Sequence, residues 1–405
     1  MSKSLLIRMS LLLALVLLLA AAGAAAQDAP AYIARGPYPV GTMELVLNAE
    51  SERPLPVTVW YPALNPDGLP EEILYDTGIR AVLPDIPDMM VHFPGRALLD
   101  ASPDSAGGPY PLVVYSHSAT ASRFFTAFYQ EHLASWGLVV MAAEHSGSAF
   151  TDGFVAPPPE VEVMPYALSV ALRMADVKAE LDYAEVMTAA GGELEGVIDT
   201  DRSAVIGWSL GGNTALVAAG ARFDFANMTE WCAAESGREE HCRLLEYVSE
   251  LASAFGIDPS SDGLWASQGD DRVDAIITMA QGWATAFGEE GYANITIPVM
   301  TMLGTGDPQF EIRRSYDLVS SAQKALVAFE GAGHTIYGQC PPAFIEGSFP
   351  FCFDPMWDIA AAHEAINHLS VAFLLTTLRG DEDARAALAP EAVSFPDVTY
   401  EATGL

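Results

Sequence analysis

Basic residues are scarce in this chain. Lys and Arg total 19 against 53 Asp and Glu in 405 residues, a formal net charge of −34. A field of that sign repels nucleic acid and anionic membranes, which weighs against both as partners. It also keeps the surface strongly solvated, as a saline habitat would require. Cysteine is sparse too: Cys232, Cys242, Cys340 and Cys352 are the whole set. No two of them are spaced as Cys-x-x-Cys, which weighs against a zinc site. Beyond the N-terminus there is no low-complexity segment, no internal repeat and no apolar run near the ~20 residues that cross a bilayer. What the chain does have is apolar mass: hydrophobic residues make up 51%. That excludes disorder and supplies a large core for one α/β domain or two smaller ones.

The first residues read as a secretory signal. Lys3 and Arg8 precede an apolar run from Met9 to about Ala22, and Ala24, Ala25 and Ala26 offer a small-residue cleavage site. Residues 1–26 are therefore expected to be a leader and 27–405 the mature domain, secreted to the periplasm or medium. The alternative is a retained N-terminal anchor. In an oxidising compartment the local pairs Cys232–Cys242 and Cys340–Cys352 are expected as disulfides, with free buried thiols as the alternative.

Patterning predicts alternating strands and helices. Met43–Leu47 and Pro56–Tyr61 alternate like an antiparallel hairpin. Asn65–Gly108, rich in Pro, Asp and Gly, reads as a long loop with short helical pieces. PLVVYS at 111–116 and LVVMAA at 138–143 are wholly apolar runs that suit strands buried on both faces. Helices are expected at about 124–136, 165–190, 210–221 and 356–378. Further strands are expected at 203–206, 273–279, 298–303 and 325–329. In the second helix Leu168, Leu172, Val177, Leu181 and Ala184 share one broad face. Such alternation indicates a mostly parallel sheet covered on both sides. Residues Phe223–Asp271 interrupt it and read as a cap or lid, or else a surface excursion.

The sharpest motif is Gly207-Trp208-Ser209-Leu210-Gly211-Gly212. It fits the strand–turn–helix elbow G-x-S-x-G, in which a strained serine projects over the sheet edge at a helix N-terminus. Side chains at Gly207 and Gly211 are expected to clash with neighbouring strands. A serine hydroxyl is a weak nucleophile and needs a base. His334, in Gly-Ala-Gly-His after a late strand, is the candidate, and Asp307, in Gly-Thr-Gly-Asp-Pro, is the candidate orienter. The order Ser209, Asp307, His334 is that of α/β-hydrolases. The oxyanion donors are expected to be the backbone N–H groups of Leu210 and Ala119, with Ser118 as another possibility. His117 and His145 come too early for the base. His363-Glu364 with His368 misses the zinc spacing H-E-x-x-H by one residue, and both histidines read as surface residues.

Beyond these motifs, PLVVYSHSATAS, LVVMAAEHSGS, DTDRSAVIGWSLGG, GTGDP and GAGH together resemble the bacterial predicted dienelactone hydrolases. That group is related to platelet-activating-factor acetylhydrolases and to cutinase-like polyester hydrolases. The resemblance runs from about Gly36 to Leu378 and is weakest in Phe223–Asp271. It implies an α/β-hydrolase fold, a triad at Ser209, Asp307 and His334, and oxyanion donors at Ala119 and Leu210. Two positions depart from the pattern: Ser209 stands where dienelactone hydrolases proper have cysteine, and His117-Ser118 stands where relatives often have His-Gly. Trp208 and Trp283 resemble the aromatic residues of polyester hydrolases, where an aromatic acyl group could stack. Ordinary packing is the alternative for both.

These features imply a secreted serine carboxylesterase without metal or organic cofactor, monomeric, acting on short-chain or aromatic esters. Polyester and acetyl-phospholipid hydrolysis are alternative substrates. Amide hydrolysis and a catalytically silent binding module are more distant readings.

Overall fold

Val40–Leu47 (β1) and Leu55–Pro62 (β2) form the expected antiparallel hairpin, in register from Val40 opposite Pro62 to Leu47 opposite Leu55. The computed structural model describes residues 30–86, 91–154, 164–234, 242–258, 263–282, 284–307, 312–339 and 354–405. The expected leader, Trp283, Cys340 and Cys352 lie outside the described residues. The stretch after the hairpin is more ordered than its composition implied. Among the described residues it holds a 3-10 turn at Ile79–Ala81 and the short strands Ile73–Asp76 (β3), His92–Gly95 (β4) and Leu98–Leu99 (β5). Strands of two to four residues carry no readable period, so pairing partners rather than local pattern define them.

The alternation then sets in. Its elements are Tyr110–Ser116 (β6), Ala127–Ser135 (α1), Val139–Ala143 (β7), Met164–Thr188 (α2), Ile198–Trp208 (β8) and Leu210–Ala218 (α3). Phe225–Ala234 (α4) and Val248–Ala254 (α5) follow, then Val273–Met279 (β9), Gly288–Tyr292 (α6), Val299–Gly304 (β10) and Ile312–Leu318 (α7). Lys324–Phe329 (β11), Ile359–Leu374 (α8), Glu382–Ala387 (α9) and Val398–Thr403 (β12) complete the order.

One ten-stranded sheet runs β12-β11-β10-β9-β8-β6-β7-β2-β1-β5. β6 to β11 are mutually parallel, while β12 and β2 join antiparallel at β11 and β7. Every residue of β6 is buried. Leu112 and Val114 enter one core while Val113 and Tyr115 enter the other, as the two-residue strand period requires. The first core contains Val177 and Leu181 of α2 and Leu216 of α3; the second contains Leu133 of α1 and Leu369 of α8. This layering is the α/β-hydrolase fold. β12 had no counterpart in the sequence reading: it is a partly exposed edge strand, and its apolar alternation is weak.

Two helical expectations change. Leu172 is 38% exposed, and the buried apolar face of α2 runs instead through Val170, Met174, Val177, Leu181 and Ala184. The same helix also buries Arg173, Asp176 and Glu180, which a rule placing charge outside cannot foresee. His368 is no surface residue either. It is buried on α8, and its Nδ1 accepts the Tyr32 N–H at 3.2 Å. His363 is half-buried against Phe128, ring centroids 3.8 Å apart.

The described part of the segment expected as a cap packs beside α2: α5 lies against it, and Leu244, Leu251 and Ala252 join the core on that side. The disulfide Cys232–Cys242 ties the end of α4 to the turn that precedes α5. Among the described residues, no helix is long and apolar enough to cross a membrane.

Candidate active site

β8 ends at Trp208 and α3 begins at Leu210, so the turn between them is the single residue Ser209. Its backbone lies at φ 56°, ψ −116°, a strained conformation for any residue with a side chain. Glycine neighbours make the turn possible. A Cβ on Gly207 would lie 2.0 Å from the carbonyl oxygen of Gly211, and one on Gly211 would lie 1.9 Å from that of Ser116. Only the second clash is with a neighbouring strand; the first is with the helix that follows the turn. Ser209 N–H donates to the Met279 carbonyl at 2.7 Å, which pins the elbow to β9.

Two loops from the carboxyl edge of the sheet converge on Ser209. Oγ lies 2.9 Å from His334 Nε2, and His334 Nδ1 lies 2.7 Å from Asp307 Oδ2. The Asp307 side chain has no solvent exposure, and that of His334 keeps 23%. Asp307 follows β10 and His334 follows β11, adjacent parallel strands in which Gly304 pairs with Phe329. The three residues singled out from sequence thus form one hydrogen-bonded line. A carboxylate on Nδ1 leaves Nε2 as the acceptor facing Oγ, the tautomer a general base needs.

The donors expected around an oxyanion are near this line. Leu210 is the first residue of α3, so its N–H has no partner within the helix. Ala119 sits in the loop after β6, and this loop is pressed onto the elbow: the Gly211 Cα faces the carbonyls of both Ser116 and His117. Thr120, next in the loop, has φ 54°. Ser118 is buried, and its carbonyl accepts from His117 Nδ1 at 2.7 Å.

Trp208 is not presented as a stacking platform. It is 5% exposed, its ring lies against Tyr337, and its indole N–H donates to the His334 carbonyl at 3.0 Å.

Sequence reading passed over several polar groups near the site. Asp354 is buried, 21 residues along from Gly333; its Oδ2 accepts from Gly333 N–H at 2.6 Å and its Oδ1 from Met356 N–H at 2.9 Å. With 53 acidic residues, nothing in the local sequence marks this one. His117 and His145, set aside as candidate bases, are both buried behind the Ala119 loop. Burial and the nearby Arg173 charge hold His117 well below the usual imidazole range, and the same causes lower His145 to about 4. Among the described residues, no group of three or more His, Cys, Asp or Glu is placed to hold a metal ion.

Comparison with known proteins agrees with this architecture. Residues 24–182 match the family model described as platelet-activating factor acetylhydrolase, isoform II. A comparison with curated proteins found no match. Among solved structures, a ferulic acid esterase from Streptomyces cinnamoneus is similar, with a TM-score of 0.57 and 23% identity. The likeness spans 92% of this chain and 98% of that one. The family match ends before Ser209, whereas the structural likeness takes in both halves of the sheet. The chain therefore has the α/β-hydrolase fold, and over residues 24–182 it is similar to platelet-activating factor acetylhydrolase, isoform II.

Proposed function

We propose that this protein is a secreted serine carboxylesterase acting through an acyl-enzyme on Ser209. The observation that carries this reading is the unbroken line from Ser209 Oγ through His334 to Asp307. His334 Nε2 takes the hydroxyl proton as Oγ attacks the ester carbonyl carbon. The tetrahedral oxyanion is met by the N–H groups of Leu210 and Ala119. His334 then returns its proton to the leaving alcohol. Water repeats the sequence on the acyl-enzyme and frees the acid. Asp307 holds the ring in its tautomer and favours the imidazolium that forms.

Short acyl groups and aromatic acyl groups are the proposed substrates. The match to an acetylhydrolase family supports the first, and the likeness to a ferulic acid esterase supports the second. An acetyl phospholipid is the alternative on the same ground. An aromatic polyester has less support, because Trp208, one of the two aromatic residues that suggested it, is buried. Export is supported by the leader-like first 26 residues and by the Cys232–Cys242 disulfide.

The test is Ser209→Ala assayed on p-nitrophenyl acetate, p-nitrophenyl butyrate, methyl ferulate and an acetyl phospholipid. Turnover should fall by about 10³-fold or more on every ester that the parent protein cleaves, with thermal stability retained. A folded variant that keeps near-parental turnover would overturn the assignment.

A further inference from the structure

Behind the Ala119 loop runs a second Ser–His–Asp line. Ser116 Oγ lies 2.9 Å from His145 Nε2, and His145 Nδ1 lies 2.8 Å from Asp176 Oδ2. It repeats the bonding order of Ser209, His334 and Asp307, but its setting is different. Ser116, His145 and Asp176 are at most 3% exposed, so no substrate reaches the hydroxyl. Ser116 also ends a regular strand instead of standing on a strained turn at a helix N-terminus. Its Oγ accepts from Arg173 Nη1 at 3.3 Å while donating to His145.

Arg173 joins this line to the loop. The guanidinium is wholly buried. Nη1 donates to the His117 carbonyl, and Nη2 donates to the Ser118 carbonyl at 3.5 Å. Nε and Nη2 both donate to Ser148 Oγ, at 3.1 and 2.9 Å. The Ser148 backbone in turn accepts the Thr120 N–H at 2.8 Å. His117 adds a further fastening. Its Nε2 accepts the His145 N–H at 3.0 Å, so Nδ1 carries the proton and donates it to the Ser118 carbonyl. At the far end Arg53 grips both oxygens of Asp176.

The geometric consequence falls on one peptide group. The Ser118 carbonyl is held by His117, by Arg173 and by the Ala121 N–H at 3.2 Å. The Ser118–Ala119 peptide is trans, so its C=O and N–H point in opposite directions. Pulling the carbonyl into the buried network turns the Ala119 N–H away from it, on a loop that packs against the elbow of Ser209. We propose that Arg173, His117 and the Ser116–His145–Asp176 line are positioning residues that aim the Ala119 N–H at the developing oxyanion. The buried triad is an alignment device for the reactive one. This rests on the reading of Ser209 as nucleophile and adds a role that the reading does not require.

The decisive variant is Arg173→Lys, which keeps the positive charge and removes the planar fork. Ser148→Ala is its milder companion, since it loosens Arg173 without removing a buried charge. Three readouts are taken on each folded variant. They are kcat and KM on p-nitrophenyl acetate, the inhibition constant of a trifluoromethyl ketone, and that of the corresponding secondary alcohol. The ketone adds Ser209 Oγ at its carbonyl carbon and places negative charge on its oxygen; the alcohol binds without forming an oxyanion. Loss of one oxyanion donor costs about 10²–10³-fold in kcat, so partial misaiming should cost about 10- to 100-fold in Arg173→Lys. Ketone affinity should fall in parallel, with KM and alcohol affinity within about twofold. Ser148→Ala should show the same pattern more weakly, and it decides the matter if Arg173→Lys does not fold. A folded variant whose kcat and ketone affinity stay parental overturns the proposal, even if its melting temperature drops, because the network would then serve stability alone. Loss of alcohol and ketone affinity by equal factors also overturns it. Ser209→Ala run alongside keeps the two questions separate: if it stays active, the nucleophile assignment fails and not the alignment device.

Discussion

The indole N–H of Trp208 donates to the backbone carbonyl of His334 at 3.0 Å, so the residue before the candidate nucleophile holds the main chain of the candidate base. Both partners of the proposed proton transfer are thereby tied across the sheet edge, from β8 to the loop after β11. Trp208→Phe removes this donor together with part of the buried indole. One hydrogen bond is worth about 0.5–1.5 kcal/mol, so kcat on p-nitrophenyl acetate should fall roughly two- to tenfold. Calorimetry should show a lower melting temperature as well, from the lost bond and the space left by the truncated ring. Unchanged kcat in a folded variant would mean that the carbonyl is held by other contacts.

Asp354 secures the same loop from the other side. The side chain is buried, and its two oxygens accept the N–H groups of Gly333 and of the exposed Met356. Asp354→Ala removes two hydrogen bonds, at about 0.5–1.5 kcal/mol each. Asp354→Asn retains one oxygen and should fall between. Stability and activity should both rank Asp, Asn, Ala, read by chemical denaturation and initial rates. A stable, fully active alanine variant would contradict the assignment.

Gly211→Ala should be strongly damaging in the elbow. Its Cβ would lie 1.9 Å from the Ser116 carbonyl, which belongs to a central strand and cannot retreat. A loss of about 3 kcal/mol or more follows. Soluble yield and melting temperature are the readouts, and parental values for both would show that β6 yields more than its packing implies.

Two neutral histidines clamp the backbone of Tyr32. His132 Nε2 donates to the Tyr32 carbonyl at 2.8 Å, and His368 Nδ1 accepts the Tyr32 N–H. Burial lowers each imidazole to about 4, whereas an unfolded chain titrates near about 6.5. Between those values the unfolded state binds protons that the folded state does not. Their contribution is therefore complete above about pH 6.5 and is lost as pH falls toward 4. The acidic surface works the other way, because lower pH relaxes its self-repulsion. A variant pair isolates the clamp: in urea unfolding, His368→Gln should lose less stability between pH 8 and pH 5 than the parent does. An equal or larger loss would refute the linkage.

Much of this molecule could be read along the chain, for a local reason. PLVVYS and LVVMAA must be strands buried on both faces because wholly apolar runs bounded by turn residues have few other homes. The elbow is a local object too: Gly207, Ser209 and Gly211 form a strand–turn–helix junction that few other residues permit. The order Ser209, Asp307, His334 then follows from loops at one edge of a parallel sheet. The hydrogen-bonded line of the candidate site was therefore legible from spacing.

Tertiary structure decided the rest. β12 is a strand because β11 leaves an open edge, not because of its own pattern. Arg173 and Asp176 are inside because α2 lies against Ser116 at the end of β6 and His145 just after β7, a proximity across dozens of residues that no helical period encodes. Asp354 acts beside His334 for the same reason, and Trp208 turns inward because the His334 carbonyl offers its N–H a partner. Sequence alone determined which residues could do the chemistry, since that depends on short-range geometry and side-chain type. What aims and steadies them depends on which buried polar groups find one another, and only the folded sheet brings those groups together.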